Sequence, residues 1–125
     1  MGFSLAAVIS SALFSAFHIT SLFTSGISPV LGIIIGISIF TGGMVLALLV
    51  KGYGLQAAIG FHIGWNFIQY QVLGLRFDDG ILDTASKKLE ILFGGEFGPE
   101  AGLVSVFFLA VFLWYLKRFK VGTLE

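Results

Sequence analysis

The chain has 125 residues, of which 57% are hydrophobic and 11% are charged, and its formal net charge is zero. A soluble domain of average composition carries about a quarter charged residues. The absence of a basic cluster argues against a nucleic-acid partner, and the absence of cysteine excludes disulfides and thiolate metal sites.

The few charges are confined to short stretches of the chain. Residues 1–50, 52–75 and 101–116 contain no Asp, Glu, Lys or Arg. Apolar runs of this length can cross the ~30 Å hydrocarbon core of a bilayer as helices of ~20 residues. The composition therefore predicts an integral, multi-pass protein of the cell membrane, with the lipid bilayer as its first partner.

Four apolar segments have the character of membrane spans: residues 3–23, 29–50, 55–75 and 102–116. The second begins at Pro29, a favourable first helical residue, and is expected to end at Lys51 and Gly52. The fourth is short, and snorkelling of Lys117 and Arg118 is expected to extend it through residue 119.

The segments between the spans complete the predicted organisation. Residues 76–100 form a polar loop, in which 84–93 are expected to make a short amphipathic piece. The fold class is all-α, a polytopic transmembrane helix bundle of four spans in a single domain, 1–125. Within it, residues 3–75 form the core and 101–119 form a peripheral C-terminal span.

Basic residues in the loops set the predicted orientation. Lys51, Lys117, Arg118 and Lys120 fall on one side of the membrane, and Arg76, Lys87 and Lys88 fall on the other. Cytoplasmic loops carry the excess of Lys and Arg. Four against three predicts that both termini are cytoplasmic.

Two helix faces carry polar side chains at membrane depth, where each such group needs a partner. His18 shares a face of the first span with Ser11, Phe14 and Ser15. Hydrogen bonding to a neighbouring carbonyl is as good an explanation for His18 as a functional role.

The third span carries a stronger polar face. His62 and Asn66 are four residues apart and stack on one side of the helix, and Gln69 and Tyr70 continue that side. Four polar groups on one face need many partners, which favours function. Centring the spans in the bilayer separates His18 from His62 by about 9 Å in depth, with Asn66 between them.

Small residues predict where helices pack closely. The second span contains Gly32-x-x-x-Gly36 and the third contains Gly60-x-x-x-Gly64. This spacing lets helix backbones approach each other in lipid, where no hydrophobic effect drives association. We expect both glycine faces to serve helix packing.

The polar residues belong to two motifs that resemble a known family. Phe14 and His18 fit F-x-x-x-H within SSALFSAFHI, and His62 and Asn66 fit H-x-x-x-N within GLQAAIGFHIGWNF. These segments are similar to the second and third motifs of the CPBP family, the CAAX-processing and bacteriocin-processing intramembrane endopeptidases. The resemblance covers residues 3–75 and includes the spacing of the two motifs.

The resemblance implies a hydrolytic site within the membrane. In this family a glutamate of an E-E-x-x-x-R motif activates water, while His and Asn side chains orient it and stabilise the oxyanion. Carried over, the catalytic residues would be His18, His62 and Asn66, with Phe14, Ser15, Gln69 and Tyr70 in support. No metal is expected, because two His and one Asn make a poor zinc set.

The E-E-x-x-x-R motif is missing from these 125 residues. We favour the interpretation that the chain is the C-terminal part of a longer protease and needs an upstream Glu-bearing helix. The polypeptide alone should then be inactive toward its substrate, a membrane-associated or prenylated peptide. The alternatives are a non-catalytic membrane scaffold or bacteriocin-immunity-type binder, and a haem-b or ion-handling bundle with His18 and His62 as ligands.

Overall fold

A computed structural model describes residues 2–23, 27–68, 90–94 and 102–119, and these residues are helical without any strand. The helices are α1 Phe3–Phe23, α2 Pro29–Tyr53, α3 Leu55–Phe67, α4 Glu90–Phe93 and α5 Leu103–Arg118. The predicted all-α fold class is confirmed for this part of the chain.

The helix α2 is the centre of the fold. The helices α1, α3 and α5 each pack against it, and α4 packs against α5. Val45 and Leu48 of α2 are completely buried. They form one hydrophobic cluster with Ala58 of α3 and with Leu109 and Leu116 of α5. Within the described ranges, α2 is the one helix both long and apolar enough to cross a membrane.

The ends of α1 and α2 follow from local sequence. The bounds of α1 are those predicted. At the start of α2, the Ser28 hydroxyl accepts a hydrogen bond from the backbone N–H of Leu31 at 3.3 Å, and Pro29 fills the first helical position. The expectation that α2 ends at Lys51 and Gly52 is wrong, because the helix continues to Tyr53.

The true break is Gly54, the one residue between α2 and α3. Its φ of +89° lies in the region that glycine tolerates and other residues avoid. The chain reverses there, and α3 begins at Leu55 as predicted. Residues 69–75 of the predicted third span and 84–89 of the predicted amphipathic piece lie outside the described residues.

The contact between α1 and α2 is a seam of small residues, which we call the glycine–serine seam: Ser11, Ser15, Gly36 and Gly43. Both serines are buried. The Ser15 hydroxyl donates a hydrogen bond to the Gly36 carbonyl at 2.9 Å. A Cβ placed on Gly43 would lie 2.9 Å from the Cβ and 3.1 Å from the Cα of Ser11. The two backbones therefore meet at a distance that only glycine permits.

Four aromatic rings join α3 to α5, and we call them the aromatic stack: Phe61, Trp65, Phe108 and Phe112. Phe61 stacks on Phe112 with ring centroids 5.4 Å apart, and Trp65 stacks on Phe108 at 6.0 Å. Since the higher-numbered ring of α3 meets the lower-numbered ring of α5, the two helices run antiparallel.

The helix directions bring three basic residues to one end of the molecule. Lys51 lies in the last turn of α2, and its ammonium group lies 4.7 Å from the centre of the Phe3 ring, at the start of α1. The antiparallel pairing of α3 and α5 places the last turn of α5, with Lys117 and Arg118, level with the start of α3. This end therefore carries the basic side chains of the described helices.

The seam predicts an asymmetric response to added methyl groups. Gly43→Ala should lower the free energy of unfolding by about 1–3 kcal/mol, because α1 must move away from α2. The matched control is Gly60→Ala, whose Cβ would meet no described atom within 4 Å. It should leave stability unchanged or raise it by up to ~1 kcal/mol through helix propensity. Unfolding in detergent micelles measures the free energy of unfolding of both variants. An equal loss of stability in the two would contradict the close backbone contact at the seam.

Candidate functional site

His18 is held by its own helix near the end of α1. Its Nδ1 lies 2.8 Å from the Phe14 carbonyl oxygen, one turn earlier. The Phe14 ring also contacts the imidazole, with ring centroids 4.4 Å apart. Because a carbonyl oxygen can only accept, Nδ1 carries the proton, and Nε2 is the acceptor nitrogen of the neutral ring. The F-x-x-x-H spacing thus fixes both the ring and its tautomer.

The serines of α1 and His18 occupy the same stripe of the helix in different surroundings. Ser11 and Ser15 are buried in the glycine–serine seam. His18 lies one turn beyond Ser15 and its side chain is exposed, as is that of Phe14. The seam therefore ends just before the histidine, and α2 does not cover the imidazole.

His62 and Asn66 lie one turn apart on α3, as their spacing predicts. His62 is exposed and Asn66 is half-buried in the described part of the chain. Gln69 and Tyr70, predicted to continue this face, lie outside the described residues. The structure thus places two of the four predicted polar groups of α3 on one side of the helix.

The three polar residues lie at different heights above the end marked by Lys51. Leu55 and Phe3 both start their helices at that end. At ~1.5 Å per residue, His62, Asn66 and His18 lie about 10, 16 and 22 Å along their helices. Asn66 is therefore intermediate in depth between the two imidazoles. That all three belong to one hydrolytic site stays a prediction.

The expectation that the site binds no metal ion stays a prediction. Among the described residues, no group of three or more His, Cys, Asp or Glu side chains is placed to hold one. The candidate ligands are two imidazoles on different helices and a carboxamide, which is not a usual zinc set. The chemistry that these groups supply is hydrogen bonding, with Nε2 of His18 as an acceptor and the Asn66 amide as a donor.

The predicted packing glycines differ in their surroundings. A Cβ on Gly36 would lie 2.9 Å from Cδ1 of Ile19 in α1, and a Cβ on Gly32 would lie 3.7 Å from Cδ1 of Ile27. Gly60 and Gly64 have no described atom within 4 Å of such a position. A packing role for these last two stays a prediction.

Two features of the structure were not anticipated. At Gly43 the backbones of α1 and α2 come closest to each other. The sequence signal for this contact was the seven-residue interval between Gly36 and Gly43, which places both glycines on the same face of α2. The aromatic stack was also missed. Its signal was the four-residue spacing of Phe61 and Trp65, matched by that of Phe108 and Phe112.

The described structure is an apolar helical assembly that displays imidazole and carboxamide groups on helices flanking α2. The family model of the type II CAAX prenyl endopeptidases, Rce1-like, matches residues 1–68, and the chain belongs to this family. The match contains α1, α2 and α3 with His18, His62 and Asn66, and it supports a relationship to CAAX-type membrane-embedded proteases. No curated protein and no solved structure matches the chain.

The Nδ1 contact of His18 predicts its tautomer. With ¹⁵N-labelled histidine in detergent or lipid, the neutral His18 ring should give the signals of the Nδ1–H form. The chain has two histidines, and a His62→Gln variant assigns the remaining signals to His18. An Nε2–H form for His18 would contradict the hydrogen bond to Phe14.

Proposed function

We propose that this chain carries the histidine and asparagine part of the active site of an intramembrane CAAX-type endopeptidase. Its substrate class is a membrane-associated or prenylated peptide. The observation that carries the proposal is the exposed His62 with Asn66 one turn away, on a helix within the family match. An exposed imidazole on an apolar helix is costly in lipid and points to a role.

Each residue has a proposed part in peptide hydrolysis. His62 and the Asn66 amide donate hydrogen bonds to the oxyanion of the tetrahedral intermediate, where preorganised donors in a low-dielectric site are most effective. His18, held with Nε2 as acceptor, orients the attacking water. Gln69 and Tyr70, which follow α3 in the sequence, and Phe14 and Ser15 of α1 are the proposed supporting residues. No metal takes part.

The general base is proposed to come from outside these helices. A carboxylate must lie within hydrogen-bond reach of the water that it activates. The sequence contains no E-E-x-x-x-R, and the described residues include one acidic residue, Glu90, in α4. We therefore expect a Glu-bearing helix to complete the site, and we expect this polypeptide alone to lack peptidase activity.

The proposed topology is a four-span bundle in one domain with both termini in the cytoplasm. It is supported by the position of Lys51, Lys117 and Arg118 at the same end of the described helices. An excess of basic residues marks the cytoplasmic side. In this arrangement 3–75 is the core, 76–100 a polar loop on the opposite side, and 101–119 the last span.

A second candidate is a non-catalytic membrane scaffold or immunity-type binder that uses the same polar groups. The missing glutamate motif favours it. The two candidates share His18, His62 and Asn66 and differ in whether a bound peptide is cut. The genomic sequence upstream of the Met1 codon separates them first, because an in-frame E-E-x-x-x-R supports the protease.

Cleavage of a prenylated CAAX reporter peptide in membranes tests the catalytic proposal. We expect this chain with a Glu-bearing helix, supplied in frame or as a separate polypeptide, to cleave the reporter, and the chain alone to leave it intact. His62→Ala and Asn66→Ala should each lower the rate by about 10²-fold or more, because an oxyanion donor is lost.

The matched control for this assay is Ile63→Ala, which alters an exposed apolar neighbour on the same helix. It should retain activity and membrane insertion. Cleavage by the chain alone would contradict the need for an added carboxylate. Alanine variants at His62 or Asn66 that cleave at the control rate would remove these residues from the mechanism.

Fusion reporters test the orientation. Green fluorescent protein joined after Glu125 should fluoresce and alkaline phosphatase at the same position should be inactive, because the C-terminus is cytoplasmic. Substituting Lys117 and Arg118 by Gln should weaken the preference for a cytoplasmic C-terminus, because the excess of basic residues at that end falls. A phosphatase-active fusion of the unaltered chain would reverse the proposed topology.

A further inference from the structure

The aromatic stack lies directly beside the polar pair of α3. Phe61 immediately precedes His62, and Trp65 immediately precedes Asn66. Each polar side chain therefore projects about 100° around the helix from an anchored ring. The two inter-helix ring pairs are nearly parallel, with interplanar angles of 10° and 22°. Both rings of α3 are thus held by rings of α5, one turn apart, in the register of the polar pair.

The helix α3 also packs against α2, and Phe61 and Trp65 contact the hydrophobic cluster that α2 shares with α5. Ala58 is the one residue of this helix that is buried. Gly60 and Gly64 would present a Cβ to open space. Ala58 is buried in the cluster with α2 near the start of the helix, while Phe61 and Trp65 anchor the two turns that carry the polar pair to both α2 and α5.

A small rotation would displace the polar groups by a chemically important distance. A side-chain group about 6 Å from the helix axis moves about 2 Å when the helix turns by 20°. Hydrogen-bond donors of an active site must be held within about 0.5 Å of their working position. A contact that prevents such a rotation therefore controls whether His62 and Asn66 can act together.

We infer that the aromatic stack is the device that orients His62 and Asn66, and that Phe108 and Phe112 of α5 are positioning residues for them. The inference rests on the proposed function for its catalytic meaning. It extends the site beyond residues 1–68, the part that matches the family, because α5 lies outside that match. The C-terminal helix α5 then helps to position the polar residues of the site.

Histidine-selective labelling of the full chain in lipid tests this inference without any enzymatic assay. The chain has two histidines, so His18 serves as an internal reference for His62. The double substitution Phe108→Leu with Phe112→Leu should shift the ring signals of His62 and leave those of His18 in place. Unshifted His62 signals in a folded double variant would overturn the inference.

Two further variants separate positioning from general loss of structure. Phe107→Leu changes an exposed ring of α5 outside the stack and should leave both histidine signals unchanged. Trp65→Phe keeps a ring at the stacking position and should retain most of the native His62 signal. A His62 shift from Phe107→Leu as large as that from the double variant would overturn the inference, as would equal shifts of His18 and His62.

Kinetics in the cleavage-competent preparation provide the catalytic readout. The double variant should lower kcat by about 10²-fold with little change in KM, because a misplacement of about 1 Å acts on the transition state. Phe107→Leu should retain the kcat. Weaker substrate binding alone, seen as a higher KM with kcat unchanged, would overturn the positioning role. The histidine signals decide the orientation whether or not cleavage is observed, so failure of the proposed function and failure of this inference are distinguishable.

Discussion

The close approach of α1 and α2 at the glycine–serine seam is the constraint on which the described fold depends. Apolar helices in lipid gain nothing from hiding hydrophobic surface, so they associate through backbone proximity and hydrogen bonds. Gly43 permits the proximity, and the bond from Ser15 to the Gly36 carbonyl supplies the polar contact. His18 follows one turn later, and its position is a direct result of this contact.

The polar groups of the proposed site are therefore positioned by two different kinds of packing. Small residues hold α1 against α2, whereas large rings hold α3 against α5. The first kind requires the near absence of side chains and the second requires large ones. Both leave the imidazoles exposed, so α2 acts as a shared support and does not cover the two rings.

Much of this arrangement could be predicted from the sequence because its signals are local. Pro29 marks a helix start, uncharged runs mark apolar helices, and the four-residue interval from His62 to Asn66 sets a common face. The end of α2 could not be predicted, since Gly52 and Gly54 are the same residue type and differ only in backbone conformation. The four-residue spacings in α3 and α5 place two rings on one face of each helix, but the pairing of these faces could not be predicted, because Phe61 and Phe112 are far apart in the sequence and many other rings were candidate partners.

The single-residue connection at Gly54 has a consequence for how a peptide would meet these groups. Because one residue joins α2 to α3, the height of each α3 side chain above the Lys51 end follows from its number of residues after Leu55. From His62 to His18 the rise is about 12 Å, which an extended peptide covers in about four residues at ~3.3 Å each. A peptide that touched both imidazoles would therefore have to rise by about 12 Å along the helix axes between its two contacts and could not stay at one depth.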